Sequence, residues 1–267
     1  MGEIVFNGIS SRDLGVEVQH RRSFVGPERD YTVVEVKGRH GSIIQDNGNF
    51  KSYDREYEIA IYKYGQSLVD TVDNVIGWLR SAYGYARLED SYDPDHYVMA
   101  VYKEETEIEN IVGMAGSGRI TFTCAPQRWL KSGEEYIRIT AEDLEDAFYG
   151  LPTITNPTIN DAYPIIVGVK ENVDENDDSG FITVSNAYDT YTIYVGYELF
   201  TEYELDDYVI DCQNHDTYGE KIQNDSSIAI NMNSVSYGTY PVLAPGINRI
   251  MFSGFDYIEI QPRWWIV

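Results

Sequence analysis

Cysteine is nearly absent: Cys124 and Cys212 are the only two in 267 residues, too few for a disulfide scaffold. Each stands in a strand-like context, so both are expected as buried, unreactive thiols. Long apolar runs are also missing. The strongest, Pro164-Ile165-Ile166-Val167, falls far short of the roughly 20 residues of a membrane helix, which excludes a span of that kind. The opening Met1-Gly2-Glu3-Ile4 has no basic region leading into an apolar one, so no secretory signal is read and a cytoplasmic origin is expected. Phe6, where a Ser or Thr would be needed, removes the myristoylation reading of Gly2.

Positive charge is the next scarcity. Lys and Arg number 20 against 44 Asp and Glu, a net charge of -24. The imbalance is uneven: residues 1–130 carry 14 basic and 20 acidic side chains, net -6, and residues 131–267 carry 6 and 24, net -18. So acidic a surface repels phosphate backbones and anionic lipid, which argues against sequence-specific nucleic-acid binding and against membrane binding.

Catalytic and cofactor motifs are lacking too. No G-x-x-x-x-G-K-[ST], G-x-G-x-x-G or G-x-S-x-G occurs, and Gly113-Met114-Ala115-Gly116-Ser117-Gly118 precedes a strand rather than a helix, so it is expected as a hairpin loop and not as a phosphate cradle. The four histidines, His20, His40, His96 and His215, are scattered. Cys212-Gln213-Asn214-His215 has the gap of a metal-binding pair but no second cluster to complete a tetrahedral site. The acidic stretch Val173 to Gly180 offers oxygen atoms at alternate positions, yet its Gly is one place late and Ser185 stands where a calcium loop needs a bidentate Glu. Adjacent acids such as Glu104-Glu105 and Asp206-Asp207 read as solvated loops, because glycosidase chemistry needs two carboxyls across a cleft in different environments. No catalytic residue, cofactor-binding residue, metal ligand or cofactor is assigned, and the chain is not expected to be an enzyme.

What the sequence does have is β structure. Its 23 tyrosines, with Val, Ile and Thr, fall in short segments separated by Gly, Asn and Asp. Lys51 to Tyr62 alternates with period two, Tyr53, Tyr57, Ile59 and Ile61 on one face and Asp54, Glu56 and Glu58 on the other. Arg119 to Cys124 follows the same logic, with Ile120, Phe122 and Cys124 inward. One helix interrupts: Leu68, Val72, Val75, Ile76 and Leu79 recur at helical spacing after a Ser67/Asp70 capping pair, predicting a helix at about 67–82. The pattern loosens over 126–152, through Pro126, Gly133 and the acidic Ala141 to Asp146, which places a domain boundary near 130. Beyond it, strands are expected at 164–169, 181–184, 191–197, 208–211, 227–231, 248–252 and 257–261, an antiparallel sandwich. Trp264 and Trp265 are expected to close a core, one ring inward and one packed on a neighbouring element.

Five stretches, in order, carry a resemblance: Phe6 to Val16, Val36 to Ser42, Ser91 to Tyr97, Phe122 to Pro126, and Pro262 to Trp265. Together they resemble the distal tail (Dit) proteins of long-tailed, siphovirus bacteriophages. The resemblance implies a mainly β fold: an N-terminal β-sandwich or split-barrel domain with one helix, here 1–130, and a C-terminal galectin-like antiparallel β-sandwich, here 131–267. It implies a homo-hexameric ring formed by the N-terminal domains at the distal end of the tail tube, joining tube to baseplate and leaving a channel for DNA. Implied partners are the major tail tube protein, a tail-associated hub or lysin protein, the tape measure protein and receptor-binding proteins. The implied location is the tail tip of the virion, after synthesis in the host cytoplasm.

At 267 residues the chain is a short form, with no room for an inserted carbohydrate-binding module. Phe6 to Val16 and Lys37 to Gly41 are expected in subunit packing or turns. The mildly acidic half would then face passing DNA without sticking to it, and the strongly acidic half would meet protein partners or solvent. The alternative reading is a host-surface carbohydrate-binding adhesion module, which a patch of exposed Trp and Tyr in the C-terminal half would favour. The galectin sugar-binding pattern itself is not found in the sequence.

Overall fold

The computed structural model describes residues 2–21, 25–62, 67–103, 108–110, 115–145, 150–170, 179–196, 207–223 and 226–267. They divide into two compact units, Met1–Trp129 with Val267, and Leu130–Ile266. Both are mainly β, with every registered strand pair antiparallel.

The first unit contains β1 (Ile4–Phe6), β2 (Ile9–Ser10), β3 (Val16–Arg21), β4 (Arg29–Val34), β5 (Ile43–Phe50), β6 (Tyr53–Tyr62), helix α1 (Leu68–Leu79), β7 (Ala86–Asp90), β8 (His96–Tyr102), β9 (Ile108–Asn110) and most of β10 (Ala115–Leu130). Its main sheet runs β2-β1-β7-β8-β10-β6-β3. At the open edges Gly2 N–H donates to the Val18 carbonyl at 2.9 Å and Val18 N–H returns a bond to Gly2 at 3.3 Å, so β3 meets the lead-in to β1 and the sheet closes into a barrel. A Cβ on Gly2 would lie 2.8 Å from the tip of the exposed Tyr92 ring, which would have to move aside.

The alternation of β6 holds, with Tyr57, Ile59 and Ile61 fully enclosed. Phe122 of β10 gathers Phe6, Tyr57 and Tyr102 around it at centroid distances of 4.9, 6.2 and 6.0 Å. Helix α1 starts at the Ser67/Asp70 capping box and presents Leu68, Val75, Trp78 and Leu79 to this core. It is pinned by Trp78 Nε1, which donates to the Phe6 carbonyl at 3.0 Å. The helix ends at Leu79, short of 82, because the backbone turns there, Ser81 N–H bonding Trp78 O at 3.1 Å.

The second unit contains β11 (Ile137–Thr140), α2 (Ala141–Glu145), β12 (Thr153–Asn156), β13 (Ile165–Val169), β14 (Ser179–Ser185), β15 (Thr190–Gly196), β16 (Asp207–Asp211), β17 (Asp216–Gln223), β18 (Ser226–Asn231), β19 (Ser236–Gly238), β20 (Gly246–Ser253), β21 (Tyr257–Gln261) and β22 (Trp265–Ile266). One sheet runs β11-β21-β13-β16-β17-β18, the other β12-β20-β14-β15-β19. Alternate residues from both meet in a single core, Ile166, Tyr208, Ile210, Ile258 and Ile260 from the first and Ile182, Val184, Ile193, Val195 and Ile250 from the second. This is a β-sandwich. Trp264 sits in that core, and Trp265 Nε1 donates to the Asp161 carbonyl at 2.9 Å.

Two expectations need correction. Ala115 to Gly118 is not a hairpin loop but the start of β10, with Gly116 opposite Ile61 and Gly118 opposite Ile59; pairing along β6 overrides the poor strand propensity of glycine. Ala141 to Glu145, read as part of a loosened boundary, is a short helix, started by Thr140 and Asp143 exchanging hydrogen bonds. Gly113 and Met114 lie outside the described residues.

Candidate assembly surface

The polar groups singled out in the sequence do not converge on a site. Cys124 and Cys212 are both buried and free. Burial pushes the Cys124 thiol up to about 12 and raises Cys212 as well, so neither is a thiolate at neutral pH. His215 stacks on Tyr240 at 4.9 Å, while Asp211 caps the turn at Gln213 and Asn214. His96 pairs with Asp93 at 2.7 Å, and Asp93 also holds Arg128 at 2.7 Å. Among the described residues no group of three or more His, Cys, Asp or Glu could hold a metal ion. Among the described residues no helix is long and apolar enough to cross a membrane. Glu104, Glu105, Asp206 and residues 173–178 of the acidic stretch lie outside the described residues.

The quoted motifs land on turns and packing. Phe6 to Val16 is the β1–β2 hairpin and the 3-10 turn after it; Asn7 and Gly8 both take left-handed backbone angles, and Ser11, fully buried, accepts the Ile4 N–H through its hydroxyl at 3.3 Å. Ser91 to Tyr97 is the β7–β8 turn, where Ser91 Oγ accepts from Glu3 N–H at 2.8 Å. In Pro262 to Trp265 the left-handed Arg263 donates its N–H to Gly133 O at 2.8 Å.

Val36 to Ser42 joins β4 to β5, a hairpin that clusters exposed apolar side chains. Among the described residues its strands pair only with each other. The register sets Val33 opposite Ile44 and Val34 opposite Ile43. Successive side chains on a strand point to opposite faces, so the first pair lies on one face and the second on the other. Both faces of the distal end are therefore apolar, and both are open, Val33 being 60% and Ile44 66% exposed, with Tyr31 and Val36 exposed beside them. The base of the hairpin is polar: Arg29 pairs with Asp46 at 2.7 Å and lies over the Phe50 ring, and Asn47 links Thr32 to Asp30. The Arg29–Asp46 hydrogen bond raises Arg29 and lowers Asp46 from their ordinary pKa values.

A lone two-stranded ribbon is marginally stable in water, and contiguous exposed apolar side chains mark interaction surfaces. In the second unit, Phe181, Tyr194 and Tyr237 form a row across three strands, Tyr194 and Tyr237 stacked at 5.0 Å and both exposed.

Sequence reasoning missed an ionic cluster in the barrel. Arg21, Arg55 and Asp90 have side chains 4%, 3% and 0% exposed, with each guanidinium 3.4 Å from Asp90 Oδ2. Arg55 shares the inward phase of Tyr53 and Tyr57, and that phase was the one available signal. Burial first, then the Asp90 charge, pushes the Tyr57 hydroxyl well above its ordinary value.

No protein-family profile and no curated protein matches the chain. Among solved structures it is similar to the Dit protein of SPP1, described as a paradigm of the hub adsorption apparatus in phages infecting Gram-positive bacteria, at 12% identity and a TM-score of 0.71, with 100% of both chains covered. From end to end, the chain has the fold of SPP1 Dit.

Proposed function

We propose that the chain is a distal tail protein of the Dit family, a structural hub at the end of a siphovirus tail rather than an enzyme. On this reading residues 1–130 form the six-copy ring that continues the tail tube around a DNA channel, and residues 131–267 form a galectin-like sandwich for protein partners. Those partners are the tail tube protein, the tail-associated hub or lysin, the tape measure protein and the receptor-binding proteins.

The fold shared with SPP1 Dit over the full length supports the reading, as does the order of the sequence motifs. The observation that carries it is the β4–β5 hairpin, whose distal end exposes Val33 and Ile44 on one face and Val34 and Ile43 on the other. An isolated arm with two apolar faces gains stability by inserting between surfaces, and a second copy of the same chain, arranged around a closed ring, supplies one at every position. The test is solution mass by light scattering during size exclusion, over a concentration series at low and moderate salt. A species of six times the chain mass, lost on Ile44→Lys, is the expected result; a strict monomer for both proteins, with and without tail partners, overturns it.

The Phe181/Tyr194/Tyr237 row supports a second reading, adhesion to host-surface carbohydrate through exposed rings. Binding of cell-wall polysaccharide that Tyr237→Ala abolishes while the ring stays intact would bring it forward.

A further inference from the structure

Helix α1 has an outward face that its own chain does not explain. Leu68, Val75, Trp78 and Leu79 turn into the core, which leaves Val69, Asp70, Asp73, Asn74 and Gly77 exposed. Val69, Asp73 and Gly77 stand four residues apart and so line one side of the helix. Val69 is 67% exposed, an apolar side chain in open water. Gly77 weakens the helix, since glycine in a helix interior is less stable than alanine. Packing within the chain does not demand it: a Cβ built there would meet no atom within 4 Å among the described residues. Glycine also serves where a second backbone comes close, and here that leaves an approach from outside the subunit.

Charge narrows what approaches. Residues 68–79 carry Asp70 and Asp73 and no Lys or Arg; Arg80 follows the last turn. Asp70 is engaged in the Ser67 capping box, whereas Asp73 projects from the middle of the exposed face. In a chain of net charge -24, residues 36–42 are the reverse, with Lys37 and Arg39 and no acid. They form the tip of the β4–β5 arm and are exposed throughout, beside the apolar pairs Val33/Ile44 and Val34/Ile43. The arm therefore combines apolar side chains with positive charge, and the helix face combines an apolar side chain with negative charge. Complementary charge of this kind selects a partner and fixes its register.

We propose that the outer face of α1 is the dock for the β4–β5 arm of a second copy of this chain. Apolar side chains of the arm cover Val69, its tip cations Lys37 and Arg39 meet Asp73, and its backbone passes close over Gly77. The inference rests on the ring reading above and names the surface that receives the arm. Arm and dock are different patches of one subunit, so the contact is heterologous: each copy gives an arm to one neighbour and takes one from the other, and the series ends by closing into a ring.

The experiment is solution mass of the full chain by light scattering, with and without tail partners, for a charge exchange across the contact. Asp73→Lys and Arg39→Glu should each lose the six-copy species, and the double variant should regain it, since the exchange restores opposite charges. Gly77→Ala should weaken assembly while raising the Tm of the monomer, measured in the Ile44→Lys background, so its loss of assembly cannot be a failure to fold. A six-copy species that all three single variants leave unchanged, or a double variant no better than either charge variant alone, overturns this contact and leaves the ring reading standing. So does a lower monomer Tm for Gly77→Ala, which would place the need for glycine inside the chain. A strict monomer for the parent chain, with and without tail partners, overturns the contact and the ring together.

Discussion

The hydroxyl of Tyr57 donates a 2.7 Å hydrogen bond to Oδ2 of Asp90, a carboxylate entirely shielded from solvent. The two residues stand on β6 and β7, strands that are not neighbours in the sheet, so the bond spans the barrel interior. Removing one partner from a buried ion cluster leaves the others uncompensated, at about 3–5 kcal/mol. Asp90→Asn should lower unfolding free energy by that order in urea titrations, with Tyr57→Phe costing less, since it deletes one hydrogen bond and no charge.

The hairpin calls for the opposite signature. Val33 and Ile44 are among its most exposed apolar side chains, so Ile44→Lys removes little from the free subunit. Its unfolding free energy should stay within about 0.5 kcal/mol of the parent, as for surface substitutions generally, while self-association is lost. A large drop in stability of the monomer would show that the arm already packs on its own chain.

Asp93 sets a prediction in acid. Burial alone would raise its carboxyl, but the hydrogen bond with His96 and the charge of Arg128 outweigh it and hold the pKa below its ordinary value. A depressed folded-state pKa gives stability that is present above the ordinary carboxylate range near 4 and is lost as pH falls through the folded value. Stability should therefore decline below about pH 4, and Asp93→Asn should be less stable at neutral pH and flatter across that window.

Thiol chemistry should report folding. With the Cys124 thiol pushed up to about 12 and Cys212 also raised, both by burial, neither should react with a disulfide reagent at pH 8 in the native state. Both should react once denaturant unfolds the chain. Fast reaction of one thiol in native buffer would locate a breathing segment beside it.

Gly133 stands against the C-terminal tryptophan motif: a Cβ there would fall 2.4 Å from the Trp264 backbone nitrogen. The obstacle is main chain, which cannot swing aside as a side chain would. Gly133→Ala should destabilise the second unit by about 1–3 kcal/mol, the usual range for overpacking, visible as a lower midpoint in the near-ultraviolet signal of its tryptophans.

Much of the fold was legible because the signals are local. Period-two alternation in Tyr53–Tyr62 and the Ser67/Asp70 capping box need only neighbouring residues, and both stand in the structure. Strand β17, Asp216–Gln223, gave no such signal: its polar sequence is held as a strand by pairing with β16 and β18. The candidate surface was half legible. Val36 to Ser42 was singled out as a motif, yet nothing in the sequence showed that the apolar pairs flanking it stay uncovered.

By itself, then, the sequence determined the mainly β class, the alternation of β6 and the one substantial helix, since each follows from chain-local geometry and propensity. Tertiary structure alone decided that the hairpin leaves its apolar pairs uncovered, that Gly2 and Val18 close the barrel, and that Arg21 and Arg55 meet Asp90 inside it. Burial is a property of what packs around a residue. Arg55 and Asp90 are 35 positions apart, and nothing in the alternation of either strand fixes which charge the other will face.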